Sequence, residues 1–450
     1  MNLKKLVPWI VYLIFFAVLN ETVFNVSTPK IAEQFTLSPS GVSWMMTIFL
    51  VFFGIGSVIY GKLSDLFSLR RLIIIGIVIY CIGSIMGFVF QFSYPLVIFS
   101  RAVQGIGASA IPALIFVVVA RYFLPSERGK VFGLITSTVS FGIGLGPVIG
   151  GFVASSLHWS YLFLIPLLML VSVPFLIKVL PEEPRRPGNV DIIGAILVAF
   201  TVGFFVVYLN YGKWYYLCSF VIVLVLLIFR IRLTPDPFIQ PSLFKNVKFR
   251  NGVIVGFSLF SIVIGILFLI PLMLHEVYNF NTSQIGLVLF PGAISSVIFG
   301  PIAGTLADRK GNSFVVFIGL ILLMASMFLM AFLLSVSAII IAVALLLTYV
   351  GFSLFQTAMI NSVSQTLPEH ETGVGMGLFN LIATLAGAVG TAVAGKILDG
   401  KWLDFSFLTT VTQPKGYSYS NILLLFSIVV LLGGILYLRS FRNMAPVKVQ

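Results

Sequence analysis

Gly61-Lys62-Leu63-Ser64-Asp65, followed by Arg70 and Arg71, returns later in the chain as Gly304-Thr305-Leu306-Ala307-Asp308-Arg309-Lys310-Gly311. Both stretches follow an apolar run, and both read Gly-x-Leu-small-Asp with basic residues behind. A second echo accompanies the first. Pro125-Ser126-Glu127-Arg128-Gly129 follows one apolar run, and Pro368-Glu369-His370-Glu371-Thr372-Gly373 follows another. Each pair lies eight apolar runs apart. Two six-helix halves separated by a two-helix insert give that offset.

The runs are of membrane length. Of 450 residues, 59% are hydrophobic and 9% charged, with a mean hydropathy of +1.11. A soluble domain carries roughly 25% charged residues, so only a bilayer tolerates this surface. The 44 Phe and 40 Gly suit helices that touch lipid outside and one another closely inside. Fourteen spans are predicted, at about 7–28, 41–61, 72–92, 95–120, 131–153, 159–180, 191–210, 213–229, 251–274, 284–304, 313–333, 336–360, 373–397 and 419–438. The expected units are 1–185 for the N-terminal half, 186–245 for the insert and 246–450 for the C-terminal half. Internal repeats of this kind build many secondary transporters.

The charges orient the chain. With the N-terminus inside, 21 of the 27 Lys and Arg fall in inside segments and five outside, leaving Arg101 within a span. That asymmetry predicts both termini in the cytoplasm and a multi-pass protein of the cytoplasmic membrane. It also accounts for the net charge of +13 without nucleic acid. The basic start followed by an apolar run lacks a small-residue cleavage site, so the first helix is expected to be retained. Cys81 and Cys218 stand within apolar runs and form neither a disulfide framework nor a metal spacing.

Of 14 Asp and Glu, only Glu21 lies deep in a predicted span. An ionisable group there costs at least about 2.5–3.5 kcal/mol, so it needs a partner or a task. Hydrocarbon disfavours a carboxylate's charged form, which suits Glu21 to carrying a proton. Asn25 falls one helical turn on and is expected to hold it. Arg101, Gln104, Gly105 and Ala108 share a helix face. Arg101 is expected to control the carboxylate's proton, with a lipid phosphate as its alternative partner. Gly142, Gly146 and Gly150 form a small-residue stripe, completed by Pro147 and Gly151. It should pack a neighbouring helix closely, with Pro147 bending its own. Gly61 is expected to let two helices approach. Asp65, paired with Arg70 or Arg71, and Asp308 with Arg309 are read as a conformational latch in each half.

Together these residues resemble the fourteen-helix drug:proton antiporters of the major facilitator superfamily. The matching motifs are Gly61–Asp65, Arg101–Gly107 and Gly142–Gly151, the last associated with antiporters in that family. Leu19-Asn20-Glu21-Thr22-Val23-Phe24-Asn25 in the first span fits as well. Within the family the chain is similar to Gram-positive tetracycline exporters, through Tyr60–Asp65, His158-Trp159-Ser160-Tyr161-Leu162, Asp308–Gly311 and Tyr419-Ser420-Asn421-Ile422-Leu423. The resemblance implies the major facilitator fold and proton-coupled export by alternating access. Its expected partners are a small-molecule drug, protons and the bilayer, around a functional monomer without cofactor or resident metal. Those exporters carry glutamates where Ile143 stands here and near Gly387. Their substrate is a metal–tetracycline cation, so the missing acids widen the expectation to other amphipathic drugs and lipids. A proton-coupled importer on the same fold is the alternative. His275-Glu276 lacks the second histidine of a zinc-protease motif, and no Gly-Lys pair is followed by Ser or Thr, which excludes an enzyme of that class and an ATP-driven pump.

Overall fold

A computed structural model describes residues 6–123, 125–183, 191–235, 237–239, 241–367 and 369–441. They are helical, with no strand among them. In chain order the helices are α1 (Val7–Val23), α2 (Thr28–Phe35), α3 (Pro39–Leu66), α4 (Leu69–Val89), α5 (Tyr94–Tyr122), α6 (Pro125–Ser156) and α7 (Val173–Val179). They continue as α8 (Ile192–Tyr211), α9 (Trp214–Leu233), α10 (Val247–Tyr278), α11 (Thr282–Lys310), α12 (Asn312–Leu333), α13 (Ala338–Ser364), α14 (Glu369–Asp399) and α15 (Tyr417–Phe441). A tight 3-10 run, Trp159–Ser172, leads into α7 and completes one span with it. Thirteen described segments are long and apolar enough to cross a membrane. The fourteenth helix is the 32-residue α6, whose described apolar part is Phe141–Ser156. The fold is therefore the expected all-α membrane architecture. The unit boundary at 185/186 lies outside the described residues.

The first span is not one helix. α1 ends at Val23, Asn25–Ser27 form a 3-10 turn, and α2 restarts with Pro29 in its first turn. That position suits proline, whose missing N–H has no partner in a first helical turn. Packing groups the helices in two clusters. In one, α5 lies against α3 and α4, and α1 against α6; in the other, α10 packs on α14 and α15, and α13 on α11 and α12. Two seams join them, α3 with α14 and α6 with α11. The α8–α9 hairpin turns at Gly212, whose φ of +65° is a conformation glycine adopts readily. α8 lies against both α3 and α14, covering one seam on its outer side. An entirely apolar cavity of about 480 Å³ lies between α8 and α3–α5. In α9 only Leu227 is buried, as expected for a helix whose partner on most sides is lipid.

Asp191 anchors this hairpin. It caps α8 by accepting from the Gly194 N–H at 3.0 Å, and it also accepts from Phe238 N–H at 3.0 Å and Arg230 Nε at 2.9 Å. A side chain at Gly194 would collide with this carboxylate. Burial pushes the Asp191 carboxyl up, but the bonds from Gly194, Phe238 and Arg230 outweigh it and hold it below the usual carboxylate range. The stabilisation is then fully present above the unfolded value, near pH 4, and fades as pH falls through the lower folded one. Asp191→Ala should remove about 2–3 kcal/mol, allowing for the partial exposure of Arg230. Thermal unfolding in detergent at neutral and acidic pH tests this: the melting gap between wild type and variant should close on acidification.

Candidate functional site

α1, α4 and α5 converge on a buried arginine. Arg101 of α5 has no exposed surface. Its Nη1 donates to Gln104 Oε1 at 2.9 Å and to Asn20 Oδ1 at 3.4 Å, and its Nε donates to the Met45 carbonyl at 3.3 Å. The Phe24 and Phe49 rings lie 4.5 and 4.3 Å from its guanidinium carbon. Gln104 Nε2 donates in turn to Ser84 Oγ at 2.7 Å, and Asn20 Nδ2 to the Leu162 carbonyl at 3.4 Å. Arg101 Nη2 is buried with no partner among the described residues. This placement overturns the lipid-phosphate alternative, because no lipid reaches a side chain enclosed by aromatic rings and helix backbone.

A buried guanidinium needs compensating charge, since desolvation of an ion costs several kcal/mol. Glu21 is the acid that directly follows Asn20, the α1 residue bonded to Arg101. It is partly exposed and makes no hydrogen bond among the described residues. The expectation that Asn25 holds Glu21 is not met. The helix stops at Val23, so the spacing that would stack them is lost, and the Asn25 carbonyl accepts from Thr28 Oγ1 at 2.9 Å. Asn20 is instead the asparagine that reaches the cluster. Tyr80 of α4 is a further member, missed in the sequence because a tyrosine in an apolar run reads as core. Its hydroxyl is buried without a hydrogen-bond partner among the described residues, one turn along α4 from the Ser84 that Gln104 engages.

The glycine stripe seats the helix that carries Glu21. A Cβ on Gly142 would meet Val18 at 3.2 Å, one on Gly146 would strike the Thr22 hydroxyl, and one on Gly150 the Val23 carbonyl. These contacts follow α1 past Glu21 turn by turn. The other face of α6 meets α11. Gly151 would touch the Thr282 carbonyl at 2.6 Å, and the Pro147 carbonyl faces Gly286. α6 is assigned as continuous through Pro147. One helix thus contacts both the Glu21 helix and the opposite cluster.

The Gly61 and Gly304 motifs are not loops. They form the last turns of α3, which ends at Leu66, and α11, which ends at Lys310. A Cβ on either glycine meets nothing within 4 Å, so the expected close approach is not made here. Arg70 Nη2 bonds Glu182 Oε2 at 2.7 Å, Arg71 also engages Glu182, and Arg309 is exposed. Glu182 was not anticipated as a partner of Arg70 and Arg71. The side chains of Asp65 and Asp308, like those of residues 125–130 and 369–373, lie outside the described residues. At the opposite ends the seams are tight. Ser40 Oγ donates to Asp399 Oδ2 at 2.7 Å, His275 Nε2 lies 3.1 Å from Glu33 Oε1, and Gly395 would touch the Pro39 carbonyl at 2.9 Å. The clusters are thus joined at this end. No group of three or more His, Cys, Asp or Glu suited to a metal occurs among the described residues.

Known proteins resemble this chain in sequence and in fold. The chain is 29% identical to the riboflavin transporter RibZ of Clostridioides difficile strain 630, over 85% of this chain and 87% of that protein. It is 27% identical to the multidrug export protein EmrB of Haemophilus influenzae, over 84% and 77%. Among solved structures, the nucleoside transporter NupG superposes with a TM-score of 0.71 at 13% identity, covering 97% and 99%, and a D-xylose-proton symporter with 0.66 at 18%, covering 96% of each. These likenesses establish the shared fold. The profile described as Major Facilitator Superfamily matches residues 10–391, which take in the Arg101 cluster, the glycine stripe and both repeat motifs. The chain is a transporter of the Major Facilitator Superfamily.

Proposed function

We propose that this protein is a proton-coupled antiporter exporting amphipathic drugs, tetracycline among those to be tested, across the cytoplasmic membrane. One observation carries the reading: Glu21 directly follows Asn20, which accepts from the fully buried Arg101, and rides on the helix seated by the α6 glycine stripe. Proton binding at Glu21 changes the balance of charge around Arg101, and α6 passes a movement of α1 to the α11 seam. The multidrug relative supports drug export. In this reading residues 1–185 and 246–450 rock about the site, 186–245 flank one seam, and both termini are cytoplasmic. With the clusters joined at the outer end, this conformation is read as open to the cytoplasm. Gly61, Asp65, Arg70, Arg71, Gly304, Asp308 and Arg309 meet when that side closes.

Uptake of labelled tetracycline into cells with and without the protein, with an uncoupler as control, tests the proposal. Lower uptake that the uncoupler abolishes is expected; unchanged uptake of tetracycline and of a panel of amphipathic dyes contradicts export. The riboflavin relative favours a second reading, proton-coupled vitamin import, in which labelled riboflavin accumulates instead. Charge near the site sets the substrate preference. Ile143 sits on α6 beside the stripe and is partly exposed. A carboxylate there attracts a cationic complex by about 1 kcal/mol, roughly fivefold in affinity. Ile143→Glu should therefore improve export of the magnesium–tetracycline complex and impair that of neutral or anionic compounds. Competition assays in vesicles read both; a change of both in one direction places specificity elsewhere.

A further inference from the structure

Two donors in the Arg101 cluster are unused among the described residues. The Tyr80 hydroxyl and Arg101 Nη2 are each buried, and neither has a hydrogen-bond partner among the described residues. An unsatisfied buried donor carries a desolvation penalty that native structures avoid unless another state relieves it. Tyr80 is held in place closely. Gly107 of α5 lies so near the Tyr80 backbone that any Cβ there would collide with it. Ser84, one turn along α4, is engaged by Gln104, which also binds Arg101. α4 and α5 are therefore locked in register where both orphan donors sit. Glu21, next in the chain to the Asn20 that Arg101 binds, makes no hydrogen bond among the described residues and retains partial exposure.

The pieces are complementary. A protonated carboxyl can remain at the exposed position, where it demands little. An ionised carboxylate is an acceptor with about four lone-pair sites and is best satisfied by donors, one of them charged. We propose that the Tyr80 hydroxyl and Arg101 Nη2 together receive the Glu21 carboxylate when it releases its proton, making Tyr80 a positioning residue of the proton site. The proton passes from Glu21 to water, and Tyr80 keeps its own. The inference rests on Glu21 being the proton carrier. Among the described residues no carboxylate or histidine is bonded into the Arg101 cluster. Residues 131–156 of α6 and 39–61 of α3 contain no Asp, Glu, His, Lys or Arg, and Tyr161 on the Trp159–Ser172 run is exposed. Cys81, next to Tyr80, bonds the Pro166 carbonyl.

Tyr80→Phe deletes one oxygen and keeps the ring. In reconstituted membranes without substrate, the infrared carboxyl stretch of protonated Glu21, assigned by its loss in Glu21→Gln, is followed against pH. Losing a donor to the charged form should move the midpoint to higher pH by about one unit, a tenfold tighter hold on the proton. Tyr80→Phe should also move the pH profile of exchange in the same direction. An unmoved or lowered midpoint, with the band still absent in Glu21→Gln, overturns the role of Tyr80 and leaves Glu21 as carrier. A titrating band that survives in Glu21→Gln overturns the assignment of Glu21 itself.

Discussion

Glu21→Gln should abolish gradient-driven export, by on the order of 100-fold, while leaving insertion and melting behaviour near those of wild type. Glutamine has nearly the same shape, and Glu21 makes no hydrogen bond among the described residues that the change would break. The amide also reproduces the neutral state through which a proton carrier itself passes. What it cannot do is release a proton and give Arg101 its counter-charge. Glu21→Asp keeps the charge on a shorter arm and should retain partial transport. Gradient-driven tetracycline accumulation in inverted vesicles separates these outcomes, and equal accumulation by Glu21→Gln would remove the carboxylate from the mechanism.

The second large effect is steric. Gly146 and Gly150 face α1 through different obstacles, the Thr22 side chain at the first and the Val23 backbone carbonyl at the second. A hydroxyl can rotate away, whereas a helix carbonyl cannot move without the helix. Gly150→Ala should therefore cost more than Gly146→Ala, and leucine at either should jam the cycle. Overpacking of this kind typically costs about 1–3 kcal/mol. Thr22→Ala removes the hydroxyl but keeps the Cβ 2.7 Å away, so it should relieve Gly146→Ala in part and Gly150→Ala not at all, a coupling that a double-mutant cycle measures directly. Gly61→Ala and Gly304→Ala are the controls. Neither meets an obstacle in this conformation, so their melting temperatures should stay unchanged. Full transport by Gly150→Leu would mean that close seating of α1 is dispensable.

Hydropathy and the paired motifs made the helical architecture legible, because a bilayer imposes long apolar runs and leaves little else to vary. Local breaks were less visible. Nothing apolar marks the end of α1 at Val23, since the residues on both sides suit membrane helix, and the 3-10 turn arises from tertiary packing and the proline that follows. That break separates Asn25 from Glu21 and misdirected the expected pairing. Glu21 and Arg101 stood out because charge in a span is expensive. Tyr80 and Ser84 did not, as each is ordinary in an apolar helix and gains meaning only from what faces it. Glu182 was hidden for the opposite reason. In a polar connection an acid is unremarkable, and only the folded chain brings it to Arg70 and Arg71. The spacing of the glycine stripe suggested a packing surface, but its partner could not be read from spacing alone. That the partner is α1 ties the stripe to the carboxylate.

Substrate-induced proton release tests the central claim most directly. Protein reconstituted in weakly buffered vesicles receives saturating magnesium–tetracycline at slightly acidic pH, and the external pH is recorded. Wild type should release protons on binding, and Glu21→Gln should still bind the complex, by fluorescence, without releasing any. Proton release of wild-type size from Glu21→Gln would contradict the account.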